Sequence, residues 1–380
     1  MPTLFTPLQV GRLQLSHRIA LAPLSRYRVE DNTHTPIVSL VKEYYTQRAS
    51  TPGTLLISEA TLITPQAGAY TNAPGIWSEA QIKAWKEIVD AIHAKGSYIY
   101  LQLWALGRAA DPVALRAQPG GEKFEVVSSS STLLVNEERV HDTPRALTEE
   151  EIQQYIRDYA TAAKNAVERA GFDGVEIHGA NGYLIDQFIQ NIVNHRTDRW
   201  GGSAENRARF ALEIVKAVSE AVGADRTAIR FSPYSTYNDM NMTDSDRDET
   251  FTYLAQEVAK FKLAYVHLVE SRVSGNADVE QPQGSLQFFL DAYRDASPLV
   301  LAGGYKAHSA KEAVETRYKD HQVVIAFGRP FISNPDLPFR IKEGIELAPY
   351  NRDTFYLFKD PKGYVDYPFS ERLACIVEYI

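Results

Sequence analysis

A histidine, an asparagine and a tyrosine crowd one glycine-flanked stretch, Gly174-Val175-Glu176-Ile177-His178-Gly179-Ala180-Asn181-Gly182-Tyr183. The apolar, β-branched residues before His178 read as a strand, which puts all three polar side chains on the turn that ends it. Two donors there, His178 and Asn181, can bind one carbonyl oxygen and stabilise the enolate-like charge that forms when a hydride adds to the β-carbon of an enone. Tyr183 can then protonate the α-carbon. A plainer reading of the same spacing is that His178 and Asn181 satisfy the backbone of the turn.

Other polar residues sit at the ends of apolar runs. Arg230 lies inside Thr227-Ala228-Ile229-Arg230-Phe231-Ser232 and needs an anionic or electron-rich partner, since an unpaired buried cation costs several kcal/mol. That partner is either a barrel carboxylate such as Glu176 or a bound group. Gln102 offers an amide, Ser25 a hydroxyl and Trp104 an aromatic wall, and each could equally be a packed structural residue. Two glycine turns, Gly303-Gly304 and Gly328-Arg329, follow apolar runs near the C-terminus, where backbone amides and a guanidinium could hold a phosphate.

These residues need a scaffold that gathers strand ends. Eight short apolar runs recur, at 19–23, 54–59, 97–103, 173–178, 227–232, 264–269, 298–302 and 323–327. Amphipathic stretches at 79–95, 148–170 and 205–222 lie between them. Strand–helix alternation repeated eight times predicts an α/β fold, a closed (β/α)8 TIM barrel whose active site lies at the C-terminal ends of its strands. Thr148 with Glu151, and Ser203, mark helix starts. Residues 107–145, after the third run, are rich in Pro, Gly and Ser and too long for an ordinary loop, so they predict a capping excursion. No linker or second repeat interrupts the chain, and a single domain over 1–380 is expected.

The composition narrows the function. A net charge of −8 disfavours nucleic acid as a partner, and no apolar run is long enough to span a membrane. The single cysteine, Cys375, excludes an intramolecular disulfide and fits a cytoplasmic protein. No strand end carries a Schiff-base lysine. Glu176, His178, His267 and Glu270 fall near strand ends but form no recognised metal-ligand motif, and no metal is expected.

In this order, these segments resemble the Old Yellow Enzyme family of FMN-dependent ene-reductases. The likeness runs from about Leu4 to about Phe369 and includes Ala22-Pro23-Leu24-Ser25-Arg26, Glu43-Tyr44-Tyr45-Thr46-Gln47-Arg48-Ala49, Gln102-Leu103-Trp104, the His178 turn, His195-Arg196-Thr197-Asp198 and Gly201-Gly202-Ser203-Ala204-Glu205-Asn206-Arg207. The resemblance implies an oxidoreductase with FMN as cofactor and NADPH as hydride donor, NADH being the alternative, acting on unsaturated aldehydes or ketones. It implies substrate carbonyl binding by His178 and Asn181, protonation by Tyr183, and a substrate pocket lined by Trp104 and Tyr356. Pro23, Leu24, Ser25, Ala60, Gln102, Arg230, Gly303, Gly304, Gly328 and Arg329 would contact FMN, Arg230 from the pyrimidine edge. The tail around Tyr356, Tyr364 and Tyr367 would close the site. The loop at 271–284 departs from the yeast pattern, and the flavour is that of filamentous-fungal members, some of which act in alkaloid pathways. A monomer or homodimer acting on a small molecule is expected; a flavin-binding protein without turnover, or an isomerase, is the rival reading.

Overall fold

The computed structural model describes residues 3–68, 70–135, 142–275, 277–280, 282 and 284–378, with side chains described as far as Cys375. Eight parallel strands form the frame: β1 (Ile19–Leu21), β2 (Leu55–Ile57), β3 (Tyr98–Trp104), β4 (Gly174–His178), β5 (Thr227–Phe231), β6 (Tyr265–Val269), β7 (Leu299–Ala302) and β8 (Val323–Phe327). Each pairs with its neighbours, β8 with β1 and β2 with β3, so the sheet closes as the TIM barrel that the alternation predicts. The runs are β-branched and apolar because parallel barrel strands are covered on both faces. Every residue of β4, β6, β7 and β8 is buried.

The helices begin where side chains can satisfy their first amides. Thr148 and Glu151 form a reciprocal capping box before helix Glu149–Lys164, Ser78 and Gln81 do the same before Glu79–His93, and Ser203 caps Ala204–Val222. The predicted helix over 148–170 ends in a π turn at Asn165–Arg169. A feature that the strand count missed lies at the N-terminus, where Leu8–Val10 pairs antiparallel with Leu13–Leu15. Its alternate residues are buried with Leu55, Tyr100 and Ala264, so the hairpin plugs the floor of the barrel. Gly11 turns it with φ +55°, and a side chain there would collide with the Asp225 carbonyl.

The excursion after β3 is built rather than loose. It carries short helical turns at Gly107–Ala109, Pro112–Arg116 and Gly121–Lys123, and a strand, Val127–Ser128, that pairs with Arg145–Ala146. Residues 136–141 of the expected cap lie outside the described residues. Buried Arg108 ties the rest down, donating to the carbonyls of Thr132 (3.2 Å), Leu133 (3.3 Å) and Asn238 (2.8 Å). Gln187 joins the cap to the turn after β4: it donates to Leu106 O and Gly182 O and accepts from Arg108 N and Ser128 Oγ.

Candidate active site

The turn after β4 is set by backbone conformation. Asn181 (φ 56°) and Gly182 (φ 71°) are successive left-handed residues, which reverse the chain so that Tyr183 returns over the strand end. A Cβ at position 182 would lie 2.6 Å from Asn238 Cβ and 2.9 Å from Tyr237 O, so glycine is required there. The turn's polar backbone is held mainly from outside: Asn181 N donates to Ser232 Oγ (2.8 Å), Gly182 N to Asp186 Oδ2 (2.8 Å), and Asn238 Nδ2 to Asn181 O (2.9 Å). The plainer sequence reading therefore covers only His178, whose Nδ1 lies 3.3 Å from Ala180 N. Asn181 Oδ1 is buried without a hydrogen-bond partner.

That contact decides what His178 can do. Burial, reinforced by Arg230 and His267, holds its pKa well below the ordinary value, so the ring is neutral. With Nδ1 accepting from Ala180 N–H, the proton sits on Nε2, and Nε2 is a donor. The Tyr183 ring stands edge-on to His178 (centroids 5.0 Å apart) and to Trp104 (4.9 Å), so the three rings form one cluster. Trp104 Nε1 is also buried without a partner.

Arg230 neighbours His178 on one side and His267 on the other in strand register, which aims all three side chains the same way. Among the described residues it does not reach ion-pair distance of Glu176. The carboxylate instead accepts from Gln102 Nε2 (2.7 Å) and bonds to His267 Nδ1 (2.8 Å). Burial pushes the Glu176 pKa up, but the interaction with His267 through their hydrogen bond, together with the Arg230 charge, outweighs it and holds the group below its usual range. Burial keeps His267 neutral. Arg230 is half-buried, its Nε has no hydrogen-bond partner, and neither does His267 Nε2. Sequence reading listed Glu176 and His267 as strand-end residues without seeing that they bond to each other. Among the described residues no group of three or more His, Cys, Asp or Glu could hold a metal ion.

The ends of β7, β8 and β1 continue the barrel mouth onward from β6. Pro23, Leu24 and Ser25 are half-buried beyond β1, and Ala22 N donates to Phe327 O (3.0 Å). A Cβ on Gly328 would lie 3.4 Å from Leu24 Cδ2. Ala60 is buried in a cluster with Trp104. Gly303 (φ 146°) could not carry a side chain without pressing on Glu270 Cβ at 2.8 Å, and Gly304 (φ 67°) is exposed. The Arg329 guanidinium does bind an anion: Asp278, on the hairpin Val273–Ser274 and Ala277–Asp278, receives Nη1 at 2.8 Å and Nη2 as well. That hairpin belongs to the loop whose sequence departs from the yeast pattern.

The tail is clamped by arginines. Arg26 donates to Phe355 O (3.1 Å) and Gly363 O (2.8 Å), and Arg28 to Phe355 O, Thr354 O and Lys362 O. Tyr356 is 45% exposed beside Tyr27 (5.5 Å), and Tyr27 also meets Phe358, 64% exposed. The result is an aromatic rim just past Ser25. Tyr364 is fully buried, stacked on Tyr44 at 4.3 Å under the Arg26 and Arg28 cations. It packs the tail rather than facing a pocket. Tyr27 and Phe358 were not singled out from sequence; nothing local marks them, because chain segments more than 300 residues apart bring them together.

The comparisons give a class to this TIM barrel, whose histidine–asparagine–tyrosine turn shares the mouth with buried, unpartnered polar atoms: it is a flavin oxidoreductase. The chain belongs to the NADH:flavin oxidoreductase / NADH oxidase family, which matches residues 3–348. It is 59% identical to chanoclavine-I aldehyde reductase fgaOx3 of Penicillium roqueforti, over 100% of this chain and 99% of that protein. It is 50% identical to NADP-dependent oxidoreductase lnbE of Aspergillus flavus, over 99% of both chains. The structure of Old Yellow Enzyme from Pichia sp. AKU4542 superposes with a TM-score of 0.87 at 37% identity, over 97% of this chain and 94% of that one. The protein is an NAD(P)H-dependent flavin oxidoreductase of the Old Yellow Enzyme type. Among the described residues no helix is long and apolar enough to cross a membrane.

Proposed function

We propose that this protein, acting as one FMN-binding domain, uses NADPH to reduce the activated carbon–carbon double bond of α,β-unsaturated aldehydes or ketones. The observation that carries this reading is the neutral His178, whose Nε2–H donor lies beside the Tyr183 ring in a turn held from outside. NADPH rather than NADH follows the NADP-dependent relative, and an aldehyde follows the aldehyde reductase, each by similarity.

The residues fit the cofactor. Half-buried Arg230, with an unpartnered Nε, and Gln102, with its amide oxygen uncommitted to Glu176, suit a planar heterocycle bearing alternating carbonyl and N–H groups. Pro23, Leu24, Ser25 and Ala60 would line the same ring system. Gly303, Gly304, Gly328 and Arg329 would hold its phosphate, with Asp278 giving way as the partner of Arg329. When bound, FMN supplies two-electron carriage between NADPH and substrate, so the half-reactions alternate at one site.

The chain's own contribution is polarisation and proton delivery. His178 Nε2 and the Asn181 amide would bind the substrate carbonyl and favour charge developing on its oxygen. Tyr183 would deliver the proton to the α-carbon. Trp104 and Tyr356 would bound the substrate, and the aromatic rim of Tyr27, Tyr356 and Phe358 suits a bulky apolar one.

Visible absorption of the purified protein tests the whole reading. Flavin bands that bleach with NADPH under anaerobic conditions and return with 2-cyclohexenone are expected. A protein that cannot be reconstituted with FMN, or one that converts the enone without net NADPH consumption, would overturn it.

A further inference from the structure

Glu176 has no part in the chemistry just described, yet it is a fully buried carboxylate in the barrel's interior, with both oxygens committed. Gln102 Nε2 reaches Oε1 at 2.7 Å from β3, and His267 Nδ1 reaches Oε2 at 2.8 Å from β6. An ionised carboxylate only accepts hydrogen bonds, so its two partners must both be donors. This fixes two orientations that neither residue could set alone. The Gln102 amide is locked with nitrogen toward Glu176 and oxygen left to accept elsewhere. His267 is locked with its proton on Nδ1, so its unpartnered, buried Nε2 is an acceptor.

Arg230 lies between β4 and β6 in the same register layer as His267, and its positive charge balances the carboxylate. The barrel mouth thus presents a donor, Arg230 on β5, and an acceptor, Gln102 Oε1 on β3, on either side of β4. The pyrimidine edge of a flavin offers the complementary pattern, a carbonyl beside an N–H. Were the amide free to turn over, Gln102 would present two hydrogens to that N–H and the match would be lost.

We propose that Glu176 and His267 are positioning residues: together they hold the Gln102 amide with its oxygen outward and thereby select a flavin by its ring N3–H. The proposal rests on the FMN reading above. Neither residue is assigned contact with the cofactor.

The test compares FMN with N3-methyl-FMN, measured as dissociation constants on deflavinated protein by fluorescence quenching. Wild-type protein is expected to prefer FMN. Glu176→Gln retains the size of the side chain but can donate as well as accept, so the Gln102 amide is released and the preference falls about tenfold. General loosening of the fold would weaken both flavins alike and leave the ratio unchanged; an unchanged ratio overturns the proposal. If Glu176→Gln does not fold, nitrogen NMR of His267 in wild-type apoprotein decides instead. A proton on Nδ1 and a bare Nε2 between pH 6 and 8 are expected; a proton on Nε2 with Nδ1 bare would require a neutral, donating Glu176 and sinks the idea. Wild-type protein that binds neither flavin would instead defeat the FMN reading.

Discussion

The same strands build two storeys inside the barrel, and they obey opposite rules. Toward the floor, Leu55, Tyr100, Ala228 and Ala264 pack with the N-terminal hairpin. Two residues further along the same strands stand Gln102 after Tyr100, Arg230 after Ala228 and His267 after Tyr265, because alternate residues of a strand point to one side. The floor is closed by apolar contact. The mouth leaves Arg230 Nε, His267 Nε2, Trp104 Nε1 and Asn181 Oδ1 buried without partners. Each such atom forfeits on the order of 1–3 kcal/mol that a partner would restore. Tyr265, whose hydroxyl is also unpartnered, marks the boundary between the two. Unpartnered atoms also occur at the other end, on Arg18 before β1 and Arg226 before β5, but those at the mouth stand beside the His178 turn, where a bound group can supply their partners.

Substitutions should therefore separate stability from chemistry by storey. Tyr100→Ala opens a cavity under the hairpin and is expected to cost about 3–5 kcal/mol of stability. In urea titrations its midpoint should fall sharply, and a loss under 1 kcal/mol would show that the floor is not the structural half. Tyr183→Phe leaves the ring packed against His178 and Trp104, so stability should change by less than about 1 kcal/mol. Stopped-flow should show enone reduction slowed by about 100-fold or more while flavin reduction by NADPH is nearly unchanged. Equal loss of both half-reactions would remove the proton-donor role.

The floor and the mouth were not equally legible in the sequence. All eight strands could be read because each is a β-branched run bounded by turn residues, and the helices because Thr148 and Ser203 carry their caps. The terminal hairpin was not legible although Leu8-Gln9-Val10 and Leu13-Gln14-Leu15 alternate around Gly11, because strands of three residues are too short for a period of two to stand out. At the mouth, the grouping of His178, Asn181 and Tyr183 could be read because six consecutive residues hold all three. The Glu176–His267 bond joins residues 91 apart, and Arg26 reaches Phe355 across 329. Partnerships of that span are set by which strands become neighbours, and no local pattern records them.

The mouth can be probed further without turnover. His178→Ala removes the Nε2 donor and is expected to weaken binding of a phenol such as p-chlorophenol to the oxidised enzyme by about tenfold to 100-fold. Its thermal stability should move little by comparison with Tyr100→Ala. Unchanged phenol affinity would count against the carbonyl-binding role.

An effect of pH is expected at Glu59, which ends the run that contains β2 and precedes Ala60. It is buried, accepts from Arg26 N at 3.2 Å, and has its pKa pushed up to about 7, chiefly by burial, from an ordinary value of 4.5. The folded protein therefore holds a proton that the unfolded chain gives up between those values. Wild-type stability accordingly declines through this group as pH rises from about 4.5 to 7, and the loss is complete above 7. Glu59→Gln has no proton to lose, so its stability relative to wild type should improve from pH 5 to pH 8 by about 2 kcal/mol. Paired urea titrations at the two pH values measure this difference directly. A constant difference would mean that Glu59 keeps one charge state throughout, and would place it with the settled floor rather than with the mouth.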